Sequence, residues 1–257
     1  MKQFTIIVLL FFFINSLVAQ TDSSINIDRI SDCSVFLYQP TSDTSGDTGT
    51  GTIVNMTGKY FILTASHVAK TLTNTSKVVF HLPGDKPGIV DLSQLTGNNA
   101  NWQMHPVADI AILQIFPPKG ELLKWVDSIA FPMNHIHKGD LPSRDFEFTF
   151  LGYPFLDLQL EHFSPLTFES HLASGLMTGI RADTKKKSTF FYLDKPSIQG
   201  CSGSGVFISI KKLSIYQSAQ KTYLIGIMHG TYSDNTGGKL AAVTPLSYLN
   251  NWNVNVK

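Results

Sequence analysis

Short apolar or alternating runs recur along most of the chain, and clusters of turn-forming residues separate them. A half-buried strand alternates apolar and polar residues, whereas a strand buried on both faces is a short continuous apolar run. Many short strands between Gly, Asn, Asp and Pro are typical of sandwiches and barrels, so the pattern predicts an all-β fold. The ten predicted strands are 33–38, 51–54, 59–65, 77–82, 110–115, 146–153, 188–193, 205–210, 222–228 and 239–243.

Two short helices are predicted among these strands. One begins near Ser66, whose hydroxyl can cap the helix formed by HVAKTL. The other covers 245–252, where Pro245 suits a first helical turn. The stretch 117–128 starts with two prolines, which cannot join a strand ladder, so it is predicted to connect an N-terminal half to a C-terminal half.

The first 19 residues form a separate segment. Lys2 precedes an apolar stretch whose unbroken core, 6–14, is shorter than the ~20 residues that a spanning helix needs. A basic start, a short apolar core and a small residue, Ala19, are typical of a secretory signal peptide. We therefore predict cleavage of 1–19, a single mature domain over 20–257, and a secreted or periplasmic protein without stable membrane insertion. An uncleaved membrane anchor is the alternative.

Composition excludes two classes of protein. The 257-residue chain carries 20 Lys+Arg against 19 Asp+Glu, and a balance this close argues against a nucleic-acid binder, which needs a basic excess. Apolar residues make up 43% and aromatic residues 11%, which supplies ample core and rules out a disordered chain.

Three local patterns each place a chemically useful residue at the edge of a predicted strand. Each pattern alone is weak, because a histidine at a strand end or an aspartate before a strand is usually structural. Together they supply a serine nucleophile, the base that its hydroxyl needs, and an acid that orients the base. A tight glycine-rich turn also presents backbone N–H groups to an oxyanion. The patterns are TASHVA (64–69) with His67, HPVADIAIL (105–113) with Asp109, and GCSGSGVF (200–207) with Ser202.

This ordered set resembles the chymotrypsin-fold (trypsin-like) serine proteases, and in pattern the bacterial HtrA-type and glutamyl endopeptidases. The resemblance covers roughly residues 30–252, and Asp194, eight residues before Ser202, matches the acid that leads into the family's G-x-S-G turn. It implies two six-stranded Greek-key β-barrels, with the site in the cleft between them and a short C-terminal helix. Five further segments carry it: GTGTIV (49–54), FLGYP (150–154), ASGLMTG (173–179), LIGIMHG (224–230) and AAVTPLSYL (241–249).

The resemblance also implies the boundaries of a single protease domain over 20–257. The N-terminal barrel would cover about 28–118, the linker 117–128 and the C-terminal barrel about 129–252. We expect no PDZ domain, because the residues after Trp252 are too few to encode one.

The resemblance assigns a role to each residue of the three patterns. His67 becomes the general base, Asp109 its orienting partner and Ser202 the nucleophile, and the backbone N–H groups of Gly200 and Ser202 form the oxyanion hole. The implied activity is a serine endopeptidase that hydrolyses protein or peptide substrates through an acyl-enzyme, with neither metal nor cofactor. The oligomeric state stays open.

The serine turn departs from the family's G-[ND]-S-G-G-P pattern at Cys201 and Ser204. Viral relatives use a cysteine nucleophile, but theirs occupies the position of Ser202, and a shift of one residue would point the Cys201 thiol away from His67. The departures leave open a catalytically silent trypsin-like domain that serves as a binding or scaffold module, although the intact set of three favours the enzyme. Two separate thiols are favoured over a disulfide between Cys33 and Cys201.

Specificity is less clear in the sequence. Pro196 stands where cleavers after Lys or Arg have an acid, so cleavage after basic residues is not supported. Ser197 and His229 resemble the hydroxyl and histidine with which glutamyl endopeptidases bind substrate, but His229 comes one position late. Because a one-residue slip reverses side-chain direction unless a bulge intervenes, substrate-binding and structural roles for His229 are both open. His135 and His137 lack an accompanying Cys or acid cluster, so a loop role is predicted rather than a metal site.

Overall fold

A computed structural model describes Ile25 and residues 27–42, 45–97, 99–154, 162–181, 183–208 and 222–255. The predicted signal peptide lies outside these residues, as do 209 and 210 at the end of one predicted strand. Among the residues that the structure describes, no helix combines the length and apolar character that crossing a membrane takes.

The described part of the N-terminal half forms an eight-stranded sheet. Seven strands follow the order β5-β4-β1-β2-β3-β7-β6 through antiparallel pairs, and β8 pairs in parallel with β2. The strands are β1 (Ser34–Pro40), β2 (Gly46–Met56), β3 (Lys59–Thr64), β4 (Lys77–Leu82), β5 (Lys86–Asp91), β6 (Gln103–Met104), β7 (Ala111–Ile115) and β8 (Phe131–Pro132).

The described part of the C-terminal half forms a seven-stranded sheet. Its strands follow the order β10-β9-β13-β14-β15-β12-β11. The strands are β9 (Glu147–Gly152), β10 (Leu166–His171), β11 (Met177–Ile180), β12 (Lys187–Leu193), β13 (Gly205–Ile208), β14 (Tyr223–Ser233) and β15 (Lys239–Pro245).

Helices are few and short. The α-helices are α1 (Ile27–Asp32), α2 (Ser66–Ala69), α3 (Leu92–Thr96) and α4 (Glu121–Ile129), and two 3-10 helices cover Met133–His135 and Leu246–Asn251. Helix α4 lies in the predicted linker, where Val126 and Ile129 pack into the first core. The predicted C-terminal helix is the second 3-10 helix, and Pro245 precedes it with extended backbone instead of starting its first turn.

The predicted all-β fold is confirmed, and each of the ten predicted strands coincides with an observed one. In the described residues the sheets contain eight and seven strands, where the resemblance implies six each, and the strands that the apolar pattern did not predict are short or exposed. β6 and β8 have two residues each, and β10 has one buried residue among six. The predicted boundaries of the two halves stay a prediction.

Two large apolar cores lie under the sheets, and the first also takes in residues of the second sheet such as Phe207 and Ile227. Val35, Ile53 and Ile62 lie in the first core, whereas Phe148, Phe150 and Phe191 lie in the second. Burying one such side chain contributes about 1.5–3 kcal/mol. The two cores thus hold the strand ends that carry the site residues.

Candidate active site

His67 lies where β3 ends and α2 begins. The predicted hydroxyl cap from Ser66 is wrong, because Ala65 is the N-cap residue and no side chain caps the helix. The Ser66 hydroxyl donates instead to the carbonyl of Ile110, at 2.6 Å. This bond ties the start of α2 to the residue that follows Asp109, so it holds His67 beside that aspartate.

Asp109 is fully buried, and its carboxylate accepts four hydrogen bonds. Oδ1 accepts from the backbone N–H of His67 at 3.0 Å and from Nη2 of Arg181 at 2.9 Å. Oδ2 accepts from Nδ1 of His67 at 2.7 Å and from Nδ1 of His229 at 2.5 Å. A carboxylate offers about four lone-pair positions, so these donors fill its capacity.

The electrostatic balance keeps Asp109 ionised. Burial alone would raise the pKa of this carboxyl, but the hydrogen bonds from His229 and His67 outweigh burial and hold its pKa below the usual range. Because Oδ2 is an acceptor, the Nδ1 atom of His67 carries the proton. Its Nε2 atom is then free to accept one, as a general base requires.

Two glycines give the turn around Ser202 its shape. Gly200 has φ +94° and Gly203 has φ +86°, in the left-handed region that favours glycine. A Cβ on Gly200 would lie 2.5 Å from the carbonyl oxygen of Tyr153, and one on Gly203 would collide with Thr64 and the Thr50 carbonyl. Gly200 therefore permits a close approach within the second half, and Gly203 permits a close approach between the two halves, which a side chain at either position would block.

Thr50 of β2 docks this turn onto the first sheet. Its backbone N–H donates to the carbonyl of Ser202 at 2.8 Å, and its hydroxyl donates to the carbonyl of Gly200 at 2.8 Å. Thr50 is fully buried, and its own carbonyl accepts the Thr64 hydroxyl at 2.7 Å. Thr50 stands in the GTGTIV segment but has no role predicted from the sequence, because Thr48 and Thr52 of the same strand share its residue type and only the fold brings Thr50 against the serine turn.

The Ser202 hydroxyl donates to the backbone carbonyl of His229 at 3.3 Å. Within the described residues it makes no hydrogen bond with His67. The rings of His67 and His229 meet edge to face with centroids 5.5 Å apart, which brings the three residues to one place. Hydrogen bonds between a nucleophile and its base are often long or absent before substrate binds, so this geometry does not exclude such a pair.

The backbone N–H groups of Gly200 and Ser202 point to no acceptor among the described residues of the protein. The neighbouring N–H of Cys201 donates to the carbonyl of Ile198 at 3.0 Å, and that of Gly203 donates to Met228 at 2.8 Å. The turn therefore leaves two of its donors available for an external oxygen atom.

The Cys201 thiol points into the second core. It is fully buried, and a Cβ added to Gly152 would lie 2.8 Å from its sulfur. Burial raises the pKa of Cys201 to about 11, and the pKa of Cys33 to about 12. Both cysteines are free thiols. A buried, protonated thiol is a poor nucleophile, so the geometry favours Ser202.

Ser197 and His229, the two residues considered for substrate specificity, contact different partners in the structure. The Ser197 and Thr231 hydroxyls are 3.0 Å apart, and Thr231 also donates to the Ser197 carbonyl at 2.7 Å. His229 instead turns to Asp109, because the pairing of β14 with β15 shifts register between Met228 and Gly230. Thr231 was missed because nothing local in the sequence marks it as a neighbour of Ser197.

Other singled-out side chains bond to the protein itself. Asp194 accepts from the Ser170 hydroxyl at 2.6 Å and from the backbone N–H of His171 at 2.8 Å. Nδ1 of His135 and Nε2 of His137 lie 2.9 and 2.6 Å from the carbonyl oxygens of Thr222 and Asp140.

His67, Asp109 and His229 also group three donor atoms of the kind that bind zinc. Arg181 already brings a positive charge to the same carboxylate, and a divalent cation beside it would be repelled. The arrangement is therefore better described as a hydrogen-bonded network that orients two imidazoles.

No family model matches the chain, and no curated protein sequence matches it. Solved structures share its fold. The active form of the Rv3671c protease from M. tuberculosis aligns with a TM-score of 0.55 and 16% identity, over 87% of this chain and 80% of that one. The thermostable serine protease AL20 from an extremophilic microorganism gives 0.52 and 12%, over 85% and 93%. The serine endoprotease from Yersinia pestis gives 0.51 and 16%, over 87% and 62%.

These likenesses, at low identity, concern the architecture. The fold is that of the trypsin-like (chymotrypsin-fold) serine proteases, which confirms the predicted resemblance at the level of fold.

Proposed function

We propose that this protein is an exported serine endopeptidase, with Ser202 as nucleophile, His67 as general base and Asp109 as orienting acid. The observation that carries the proposal is the buried, ionised Asp109 bound to Nδ1 of His67 at 2.7 Å, beside a glycine-rich turn that presents Ser202. A buried carboxylate in this position holds the imidazole in the tautomer that general-base catalysis needs.

The proposed reaction starts when the Ser202 hydroxyl turns from the His229 carbonyl to Nε2 of His67. Nε2 takes the hydroxyl proton while Oγ attacks the carbonyl carbon of the peptide, and the carbonyl oxygen becomes an oxyanion between the N–H groups of Gly200 and Ser202. His67 then returns the proton to the leaving amine as the peptide C–N bond breaks. Water, deprotonated by His67, hydrolyses the acyl-enzyme and restores Ser202.

The proposed substrate is a protein or peptide chain, with no nucleic acid partner. Ser197 and Thr231 are proposed to line the substrate pocket, because their hydroxyls adjoin each other. Ser197 stands five residues before the nucleophile, and Thr231 stands two residues after His229. Removal of 1–19 during export is part of the same proposal, as is a single protease domain over 20–257.

Hydrolysis of a peptide library by the mature protein tests the proposal. We expect new N-termini to appear with the unchanged chain and with Cys201→Ser, and to be absent with Ser202→Ala. A catalytically silent module would give well-folded protein and no cleavage in all three samples. Cleavage that survives Ser202→Ala but disappears in Cys201→Ser would reassign the nucleophile.

A further inference from the structure

Arg181 is a buried cation that sequence analysis did not single out. Its side chain is 2% exposed, although arginine is almost never fully buried unless it is paired. It follows β11 directly, in the connection to β12 of the second sheet, whereas Asp109 precedes β7 of the first sheet. Arg181 therefore reaches from one half of the molecule to the carboxylate of the other.

The guanidinium contacts two carboxylates and one carbonyl. Nη2 lies 2.9 Å from Oδ1 of Asp109 and 2.6 Å from Oδ2 of Asp183, and Nε donates to Oδ1 of Asp183 at 2.9 Å. Nη1 donates to the carbonyl of Val107 at 3.0 Å. Asp183 thus holds the guanidinium in plane, and the remaining donors fix the segment that carries Asp109.

The connection that holds Arg181 is itself anchored. The backbone N–H of Arg181 donates to the carbonyl of Lys186 at 2.9 Å, and that of Lys185 donates back to Arg181 at 3.0 Å. Nζ of Lys186 donates at 3.0 Å to the carbonyl of Pro106, which belongs to the segment that leads to Asp109. The second half therefore forms hydrogen bonds to residues 106–109 at three positions, Pro106, Val107 and Asp109.

We propose that Arg181 is a positioning residue of the catalytic centre, which fixes Oδ1 of Asp109 so that Oδ2 faces His67 and which offsets part of the carboxylate's charge. This inference rests on the proposed function. Without the guanidinium, Oδ1 would keep only the backbone N–H of His67, and the carboxylate could rotate about its Cβ–Cγ bond.

The positioning role predicts a direction for the pH dependence. Removing a cation near His67 favours its imidazolium, so the neutral base would appear only at higher pH. The other charged or titratable groups around this network are His229, Asp183, Lys70 through its 3.4 Å contact with Asp183, His105 and Tyr248. Replacing Arg181 leaves these side chains in place but also takes the cation away from Asp183, His105 and Tyr248, and the Asp183 carboxylate without its guanidinium favours the imidazolium in the same direction.

A purely stabilising role makes different predictions. Replacing a buried ion pair by apolar groups is often tolerated, but removal of one partner alone leaves the other charge buried and is destabilising. Thermal unfolding therefore has to be measured beside reactivity. The discriminating test is whether the effect of Arg181 passes through Asp109.

The experiment uses the mature chain with Arg181→Met, Arg181→Lys and, as a matched control, Arg144→Met. Arg144 is exposed and donates to the carbonyl of Ala173 at 3.0 Å. The readout is the second-order rate constant for labelling of Ser202 by a fluorophosphonate across pH 5–9. Arg181→Met is repeated in the Asp109→Asn background.

We expect Arg181→Met to lower the labelling rate constant roughly 10- to 100-fold, from the strength of a hydrogen bond to a charged group. Its acid limb should move up by roughly one pH unit. Arg181→Lys keeps the charge but loses the planar fork, so it should lose rate while keeping the pH midpoint. Arg144→Met should match the parent, and in the Asp109→Asn background Arg181→Met should change the rate by less than about twofold.

An equal loss in the Asp109→Asn background would overturn the positioning role, as would an unchanged rate and pH midpoint. Failure of both Arg181 variants to fold would assign the residue to fold stability and would also overturn it. A folded parent that takes no label would instead refute the proposed function, so the two failures are distinguishable.

Discussion

Replacement of Asp109 by asparagine should disable the base while leaving the fold in place. Both groups that face Oδ1, the backbone N–H of His67 and the Arg181 guanidinium, can only donate. The asparagine must therefore place its oxygen there and its NH₂ at the Oδ2 position, facing Nδ1 of His67 and Nδ1 of His229.

An NH₂ group donates, so both imidazoles must present a lone pair at Nδ1 and carry their proton on Nε2. His67 then has no acceptor for the Ser202 proton. A wrong tautomer of this kind costs on the order of 10⁴ in turnover, which is about 5 kcal/mol at 1.36 kcal/mol per factor of ten.

The assay compares fluorophosphonate labelling rates and thermal unfolding of the parent, Asp109→Asn and Asp127→Asn. Asp127 accepts the Tyr60 hydroxyl at 2.6 Å and serves as a surface control in the same half. We expect a loss of about 10⁴ only in Asp109→Asn, with the folded state retained. The reasoning would be refuted if folded Asp109→Asn kept more than about a tenth of the parental rate, since the tautomer argument requires far more.

Three further predictions follow from the same geometry. Burial raises the pKa of Cys201 to about 11 and that of Cys33 to about 12. Ellman's reagent should therefore detect almost no thiol in the native protein at pH 8 and two thiols after denaturation. Fast labelling of the native protein would contradict this prediction. His229→Ala should slow Ser202 labelling about tenfold, because Asp109 loses a charged hydrogen bond. The same variant should keep the cleavage preference of the parent. A preference for Glu that vanishes in this variant would return His229 to the substrate pocket. The pKa of Asp109 is lowered in the folded state, so its contribution to stability is present above about pH 4 and is lost as the pH falls below that. The melting temperature should therefore fall more steeply below pH 4 in the parent than in Asp109→Asn, and equal slopes would count against the ionised, buried carboxylate.

The sequence was sufficient to predict the strands, from their local pattern, and the contact between His67 and Asp109, from the motifs that contain them. Period-two burial and turn residues are properties of neighbouring residues, so each of the ten predicted strands appears in the structure. The meeting of His67 and Asp109 was implied by the resemblance of their two motifs to the family's pattern. Their 2.7 Å contact is the outcome.

The remainder of the network depends on contacts that no local pattern encodes. Arg181 lies 72 residues from Asp109 and two residues beyond the ASGLMTG segment (173–179), outside every segment that carried the resemblance. His229 comes one position late in its motif, and its direction depends on the register shift between β14 and β15. Ser66 is a residue type that often caps helices, but its hydroxyl donates to the carbonyl of Ile110, a tertiary contact that local sequence does not show.

Active-site labelling of the folded mature chain tests the central claim most directly. The protein is incubated with a fluorophosphonate and digested, and the modified residue is mapped by mass spectrometry beside the Ser202→Ala variant. The account predicts one label per chain on Ser202 and none in the variant. Folded protein without label, or with its label on another residue such as Ser204, would contradict it.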